Sequence, residues 1–541
     1  MNKKNKAIIF APHQDDEINI AGGLISTLLE NNIEVRVVYS TNGDYCTKAS
    51  TRIKECKKAL NTLGLDEKDI YFMGYSDQTR VEDTHLYMTD ASNIWKSKKK
   101  FTKTYHPFND KEIAMIYDKK HHDFNKYNFQ EDIISILKDY KPDYIYCIDF
   151  DSHPDHRALS LSVEYAIGKI INEIKDYRPT VYKAFAYPTF YYGYNDLDDI
   201  NIKSTTFNTE KYSYCNMENP YYVWDKRIRF PLSQKTHNKF LLNNLVYKAL
   251  RCHKSQCIVG RAFSTINGDQ IYFQRRTDNL LNNSELEVSS GDMEKLRDFM
   301  LFDCKNIMHG DSEKVVLESN AWVPDKNDRQ PEINIRFDEM KEISEIIFYH
   351  SISSDEIISK IEILADNKYS KKYTLSREAG NISTIKLDNL STKEIKIRVL
   401  SKYNYAGFSE IEIFESCDNL IKYIKTEIND DFAYKYYYNN EKFQIYSYNG
   451  INSRYLCPDE YNISSNVTIK DNRFIINNKK EKVRVSLKCN PDIYDEITLV
   501  KKDFISKLNN KIVNIINKIA VGICYSKQKI IRKIKRLIKI N

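Results

Sequence analysis

Short apolar runs and helical apolar spacings alternate along the first 285 residues. Ala7–Ala11 is apolar and stops at a polar loop. From Gly22 to Asn31, Leu24, Leu28 and Leu29 recur at helical spacing. Ile33–Ser40 reads as a second strand, Ser50–Leu63 as a helix stopped by Gly64, and Asp69–Met73 as a strand. Phe129–Tyr140 predicts a helix ended before Pro142, Tyr144–Ile148 a strand, Arg157–Ile171 a helix and Val181–Tyr187 an extended segment. Alternation of this kind predicts an α/β fold, a Rossmann-like and mainly parallel sheet with helices on both faces. Ligands of such sheets sit outside the carboxyl ends of the strands.

The pattern changes after that. Between Val316 and Glu415 the chain holds EINIRF, EIIFYH, KIEILAD, TIKL, EIKIRVL and EIEIF, which alternate apolar and polar residues and are separated by polar turns. This predicts an antiparallel β-sandwich over 310–416, with 286–309 as a linker. Residues 417–500 predict a smaller β-rich unit, with KFQIYSY, NVTIKD, RFIIN and VRVSLK. In the 501–541 tail, Ile505, Leu508, Ile512, Ile515, Ile516 and Ile519, then Ile530, Ile531, Ile534, Leu537 and Ile538, predict an amphipathic helix with Lys and Arg on its other face.

Composition supports a multidomain globular chain. Of 541 residues 41 % are hydrophobic and 29 % charged, which suits two to four packed domains. Neither an 18-residue apolar run nor a signal-peptide core is present: the first apolar run ends at Phe10, so a cytoplasmic location is expected. The 11 cysteines are scattered without a CxxC, and the pairs Cys46/Cys56 and Cys252/Cys257 lack zinc-finger spacing, so reduced thiols are expected. The net charge of +7 is uneven. Residues 501–541 hold 12 Lys or Arg and one acid, which leaves the first 500 residues at −4. A nucleic-acid-binding body is therefore not expected, and the basic partner surface belongs to the tail. A basic amphipathic helix suits an anionic inner membrane face, a partner protein, or its own chain.

Two clusters carry the chemistry. His13-Gln14-Asp15-Asp16-Glu17 follows the first strand, and Asp151-Ser152-His153-Pro154-Asp155-His156 follows the Tyr144–Ile148 strand. Both therefore fall at one edge of one sheet. Two imidazoles and a carboxylate are a usual zinc set that leaves a position open for water. A free carboxylate beside the ion can take the water proton, and a spare imidazole can stabilise the tetrahedral intermediate. Either cluster alone also reads as an ordinary helix start, since Asp and Glu favour helix N-termini.

These residues resemble the PIG-L/LmbE-like family of zinc-dependent N-acetylglucosamine deacetylases, whose motifs are AHPDDE after the first strand and HPDH further on. The resemblance spans about residues 1–285. It implies His13, Asp16 and His156 as ligands of zinc or another divalent ion, Asp15 as general base, His153 as the group facing the oxyanion or leaving amine, and Asp155 as an orienting residue. Arg52 and Glu55 match the family's RxxE, and Gly74-Tyr75-Ser76-Asp77 follows in the expected order. Arg52, Glu55 and Asp77 are thereby implied in substrate binding, while Arg52 and Glu55 also read as an exposed helix pair. Lys248-Ala249-Leu250 with His253, Ser255 and Gln256 resembles a late KxALxxHxSQ segment, and His253 with Gln256 equally reads as a fixed helix end. Gln14 replaces the family's usual Pro, so a different loop rigidity is expected. The long insertion Thr79–Asn125 is the expected substrate-shaping loop.

Further on, Gly268–Leu280, Trp322-Val323-Pro324-Asp325 and Gly407–Phe414 resemble PIG-L proteins fused to a discoidin-like, galactose-binding-like sandwich. Such a module either binds glycan or packs as a structural domain. The resemblance implies removal of the acetyl group from an N-acetylated amino sugar in a cell-surface glycan or glycolipid precursor. A silent glycan-binding protein and an amidase on a non-sugar amide are the competing expectations. The intact ligand and base set speaks against the silent protein.

Overall fold

The computed structural model describes residues 4–538 except 79–93, 185–218, 223–227, four stretches between 416 and 452 (416–422, 429–436, 439–442 and 449–452) and isolated positions or pairs elsewhere. The first unit builds on β1 (Lys6–Ala11), α1 (Asp16–Glu30), β2 (Glu34–Thr41), α2 (Ala49–Thr62) and β3 (Ile70–Tyr75). The chain continues through α3 (Ile113–Tyr117), α4 (Lys126–Tyr140), β4 (Tyr144–Ile148), α5 (Pro154–Glu173) and β5 (Thr180–Ala184). It closes with β6 (Ile228–Pro231), α6 (Leu245–Leu250), α7 (Ala262–Thr265) and β7 (Asp269–Arg275). The sheet order is β3-β2-β1-β4-β5-β7-β6. Its first five strands run parallel, β7 pairs antiparallel with β5, and β6 pairs antiparallel with β7 at the edge.

The residues explain this architecture. Strands β1 and β4 are almost wholly buried because helices cover both faces, so they read as apolar runs without alternation. The chain builds outward from β1 through β2 to β3, then returns to the other side of β1 with β4. The loops leaving β1 and β4 therefore diverge at a topological switch point, which is where both chemical clusters lie. Both helices there start earlier than the apolar spacing predicts. α1 begins at Asp16, whose charge with that of Glu17 suits a helix N-terminus. α5 begins at Pro154, whose fixed φ is compatible with the first helical position. Of the extended segment expected over Val181–Tyr187, residues 185–187 lie outside the described residues.

The second unit is antiparallel: β8 (Glu285–Val288), β9 (Phe302–His309), β10 (Ser312–Ser319), β11 (Glu332–His350), β12 (Glu356–Ala365), β13 (Tyr369–Thr374), β14 (Ile382–Asn404) and β15 (Phe408–Glu415). β9 and β10 pair only with each other among the described residues, and the rest form one sheet. β11 pairs with β8 and β14 before a register shift between Arg336 and Lys341, and with β14 and β15 after it; shifts of that kind kink a ladder. Ile335, Ile346, Ile361, Ile397 and Ile413 meet in the core of this unit beside fully buried Trp322. The stretch 286–309 is more than a linker, because β8 pairs with β11 and β9 starts at Phe302. Arg275, at the end of β7, reaches Glu412 at 3.3 Å and Glu410 at 3.6 Å, tying this unit to the first.

A third, smaller core around Phe474, Val483, Val485 and Leu499 lies within short strands between Tyr423 and Val500. The chain ends in α8 (Phe504–Ile538), which packs back on the first unit. Asn517 Oδ1 accepts from the Leu241 N–H at 3.1 Å, Gln528 Nε2 donates to the Arg251 carbonyl at 3.4 Å, and Val521 joins the first core. The side chains of Ile505, Leu537 and Ile538 lie outside the described residues. No described helix is long and apolar enough to cross a membrane. The seven described cysteines are free.

Candidate active site

The loop after β1 delivers His13, Asp15 and Asp16, and the loop after β4 delivers His153, Asp155 and His156. The three imidazoles crowd together, with ring centroids 4.6 Å (His13–His153), 5.4 Å (His13–His156) and 4.6 Å (His153–His156) apart. Asp16 Oδ2 lies 3.0 Å from His13 Nδ1 and 3.3 Å from His156 Nε2. His13 Nε2 in turn meets Asp155 at 2.9 Å and Asp77 at 3.5 Å. Ligand atoms of His13, His153 and His156 converge within 4.8 Å of one another, as do those of His13, Asp77, His153 and Asp155. A buried imidazole with carboxylates at both nitrogens occupies a pocket suited to positive charge. The donor set, nitrogen and carboxylate oxygen, therefore fits a divalent ion.

Asp15 is more than a helix cap. It occupies the N-cap position of α1, yet its side chain makes no capping hydrogen bond. Its carboxylate accepts instead from Arg52 Nη2 at 2.7 Å. The backbone there has φ 155°, a region L-residues rarely adopt. Glu17 holds it by accepting the Asp15 N–H at 2.7 Å. Burial pushes the Asp15 carboxyl up, and the Arg52 guanidinium pulls it back. A half-buried carboxylate on a strained backbone, at a cavity wall, suits a proton acceptor.

His153 caps α5: its Nδ1 accepts the Asp155 N–H at 3.2 Å. A neutral ring must then carry its proton on Nε2. Burial, reinforced by His13 and His156, pushes the ring well below the usual imidazole range, so it is neutral. His153 thus presents an N–H donor. Asp151, which sequence reasoning noted without giving a role, holds both neighbours: Oδ2 meets His156 Nδ1 at 2.7 Å and Oδ1 accepts the His153 N–H at 2.8 Å. Asp155 is fixed by the Gln78 N–H at 2.8 Å, and burial raises its carboxyl.

The remaining predicted residues divide. Arg52 is buried and bridges Asp15 and Asp77, at 2.7 and 3.6 Å, so it is not an exposed partner of Glu55. The structure does not bring Glu55 into the cavity. It accepts from the Ser255 N–H at 3.1 Å and the Ser255 hydroxyl at 2.7 Å, tying α2 to the segment after α6. His253 is fully buried on Glu17 at 2.8 Å, behind the Asp15 turn. Gln14 replaces a proline ring with a tether, donating to the Thr41 carbonyl at 2.7 Å.

A cavity of about 210 Å³ opens onto these groups and is lined by His13, Asp15, Asp16, Arg52, Asp77 and His153. Tyr45, Cys46 and Thr47 after β2, Gln256 after α6, Arg261 and Arg532 complete its wall. Gln256 therefore does more than end a helix. Sequence reasoning missed Tyr45, Arg261 and Arg532, which sit in no motif. Of the insertion Thr79–Asn125, residues 79–93 and 109–110 lie outside the described residues, and none of the described ones lines the cavity.

Residues 8–167 match the family model described as PIG-L: GlcNAc-PI de-N-acetylase. No curated protein sequence matches the chain. Among solved structures, a deacetylase–bog complex from the biosynthesis pathway of teicoplanin is similar at 14 % identity and TM-score 0.31, over 51 % of this chain and 99 % of that one. The family 32 CBM of Clostridium perfringens NanJ, in complex with galactose, is similar at 15 % identity and TM-score 0.20, over 25 % of this chain and 96 % of that one. A Streptococcus pneumoniae fucose binding module is similar at 18 % identity and TM-score 0.20, over 26 % of this chain and 98 % of that one.

Proposed function

Since residues 8–167 are a PIG-L domain, we propose that the protein is a metal-dependent deacetylase of an N-acetylglucosamine-type sugar in a cell-surface glycan or glycolipid precursor. One observation carries this reading: a carboxylate that binds no neighbouring imidazole, Asp15, shares a cavity with His13, Asp16 and a neutral His153, and His156 stands behind Asp16 at 3.3 Å. A glycan-binding site without catalysis has no need of that set.

His13, Asp16 and His156 would hold zinc or another divalent ion. Such an ion polarises an acetyl carbonyl and makes water more acidic. Asp15 takes the proton of the attacking water; Arg52 aims its carboxylate and keeps it ionised often enough to act. His153 Nε2–H donates to the oxygen that gains charge as the carbonyl carbon becomes tetrahedral. The proton on Asp15 then passes to the departing amine, which leaves as the C–N bond breaks and acetate forms. Asp151 and Asp155 keep the imidazoles in register throughout. Asp77, which lines the cavity beside Arg52, would meet a sugar hydroxyl.

The test is acetate release from N-acetylglucosamine conjugates that are nucleotide-linked, lipid-linked or simple glycosides. Release from at least one class is expected with zinc-loaded protein. No release from any class, with zinc bound, would remove the amino-sugar reading.

A further inference from the structure

α8 is docked the wrong way round for an ordinary surface helix. Such a helix turns its apolar stripe inward. Here Asn517, Val521, Cys524 and Gln528, spaced by four, three and four, face the first unit, and Asn517 and Gln528 are almost wholly buried. Leu508, Ile512, Ile515, Ile519, Ile523 and Ile530 share the opposite face at helical spacing and are 46–66 % exposed. At 1.5 Å per residue, the stretch from Leu508 to Ile530 makes a seam about 33 Å long. Apolar seams of that extent on a protein surface mark something that covers them.

Charge identifies the cover. Residues 504–541 contain ten Lys or Arg and no Asp or Glu. On the helix, Lys511, Lys518 and Lys529 run along one border of the seam and Lys527 along the other, all exposed. An apolar stripe edged by cations matches a bilayer carrying anionic headgroups, which takes up the stripe and the lysines together. The same helix walls the catalytic cavity, because Arg532 lines it beside Arg261.

We propose that α8 is an interfacial helix that seats the protein on an anionic lipid surface, with the cavity mouth about one helix diameter (~10 Å) from the headgroups. On the deacetylase reading, the substrate is then an amino sugar anchored in that membrane, and Arg261 and Arg532 face its anionic linkage.

The experiment is co-sedimentation of the full chain with phosphatidylcholine vesicles, with and without about one-third phosphatidylglycerol. Binding to the anionic vesicles is expected, weakened by salt. In Ile519→Glu/Ile523→Glu, partition should fall at least about tenfold. Those side chains are exposed, so the variant should keep its unfolding midpoint. An Ile523→Trp reporter should shift its emission to the blue when vesicles are added. Absence of vesicle binding by the native chain would overturn the proposal. So would a concentration-dependent dimer that the glutamates dissolve, which would assign the seam to a second copy. Lipid binding without any deacetylation would uphold the surface and sink only the catalytic reading.

Discussion

His153 and Asp15 divide the chemistry because their surroundings differ. His153 is neutral, caps α5 and is neighboured by two other imidazoles, whereas Asp15 is a carboxylate paired with Arg52. His153→Ala should lower acetate release by about 10²–10³ while metal content stays the same. Metal analysis of the purified variant decides the matter: loss of the ion would make His153 a ligand, as its convergence with His13 and His156 also allows. Gly43 is the quieter determinant. It has φ +58°, and a Cβ there would clash with Gln14 Oε1 and stand 2.7 Å from Arg52 Nε. Gly43→Ala should therefore cost roughly 1–3 kcal/mol and reduce turnover by displacing Arg52. Thermal unfolding and acetate release on the same preparation test both halves; an unchanged midpoint with full activity would show that the loop yields freely.

At the scale of elements, much was legible and some was not. The alternation of apolar runs and helical spacings located β1, β2, α2, β3, α4 and β4 within a few residues, because buried parallel strands need continuous apolar runs. The two motifs lay at strand ends and so could be placed at one sheet edge. Their place in the first turns of α1 and α5 was legible from the acidic helix-start signal but not from apolar spacing, since polar residues there carry no helical period. The pairing of β8 with β11 was missed for a similar reason: a four-residue strand with one buried side chain carries almost no pattern. Glu55 shows another limit. An Arg and a Glu three apart look like partners, yet in the fold one faces Asp15 and the other Ser255. Contacts of that kind depend on where the chain returns some 200 residues later, which no local spacing records.

The whole molecule joins its units through charge as well as apolar cores. Arg275 reaches across to two buried glutamates, Glu410 and Glu412, and burial pushes both carboxyls up against its pull. Arg275→Met should cost about 3–5 kcal/mol by leaving that charge without a partner. Urea unfolding measures it; a much smaller loss would mean that the glutamates take up protons instead. Arg532 makes the same point for function, since it brings the last helix of the chain to a cavity built from the first strand.

The most direct test of the central claim is acetate release by Asp15→Asn in protein whose bound metal has been counted. Turnover at least about 100-fold below the native chain, with the metal retained, is the predicted result. Full turnover in that variant would contradict the assignment of Asp15 and, with it, the chemistry read from this site.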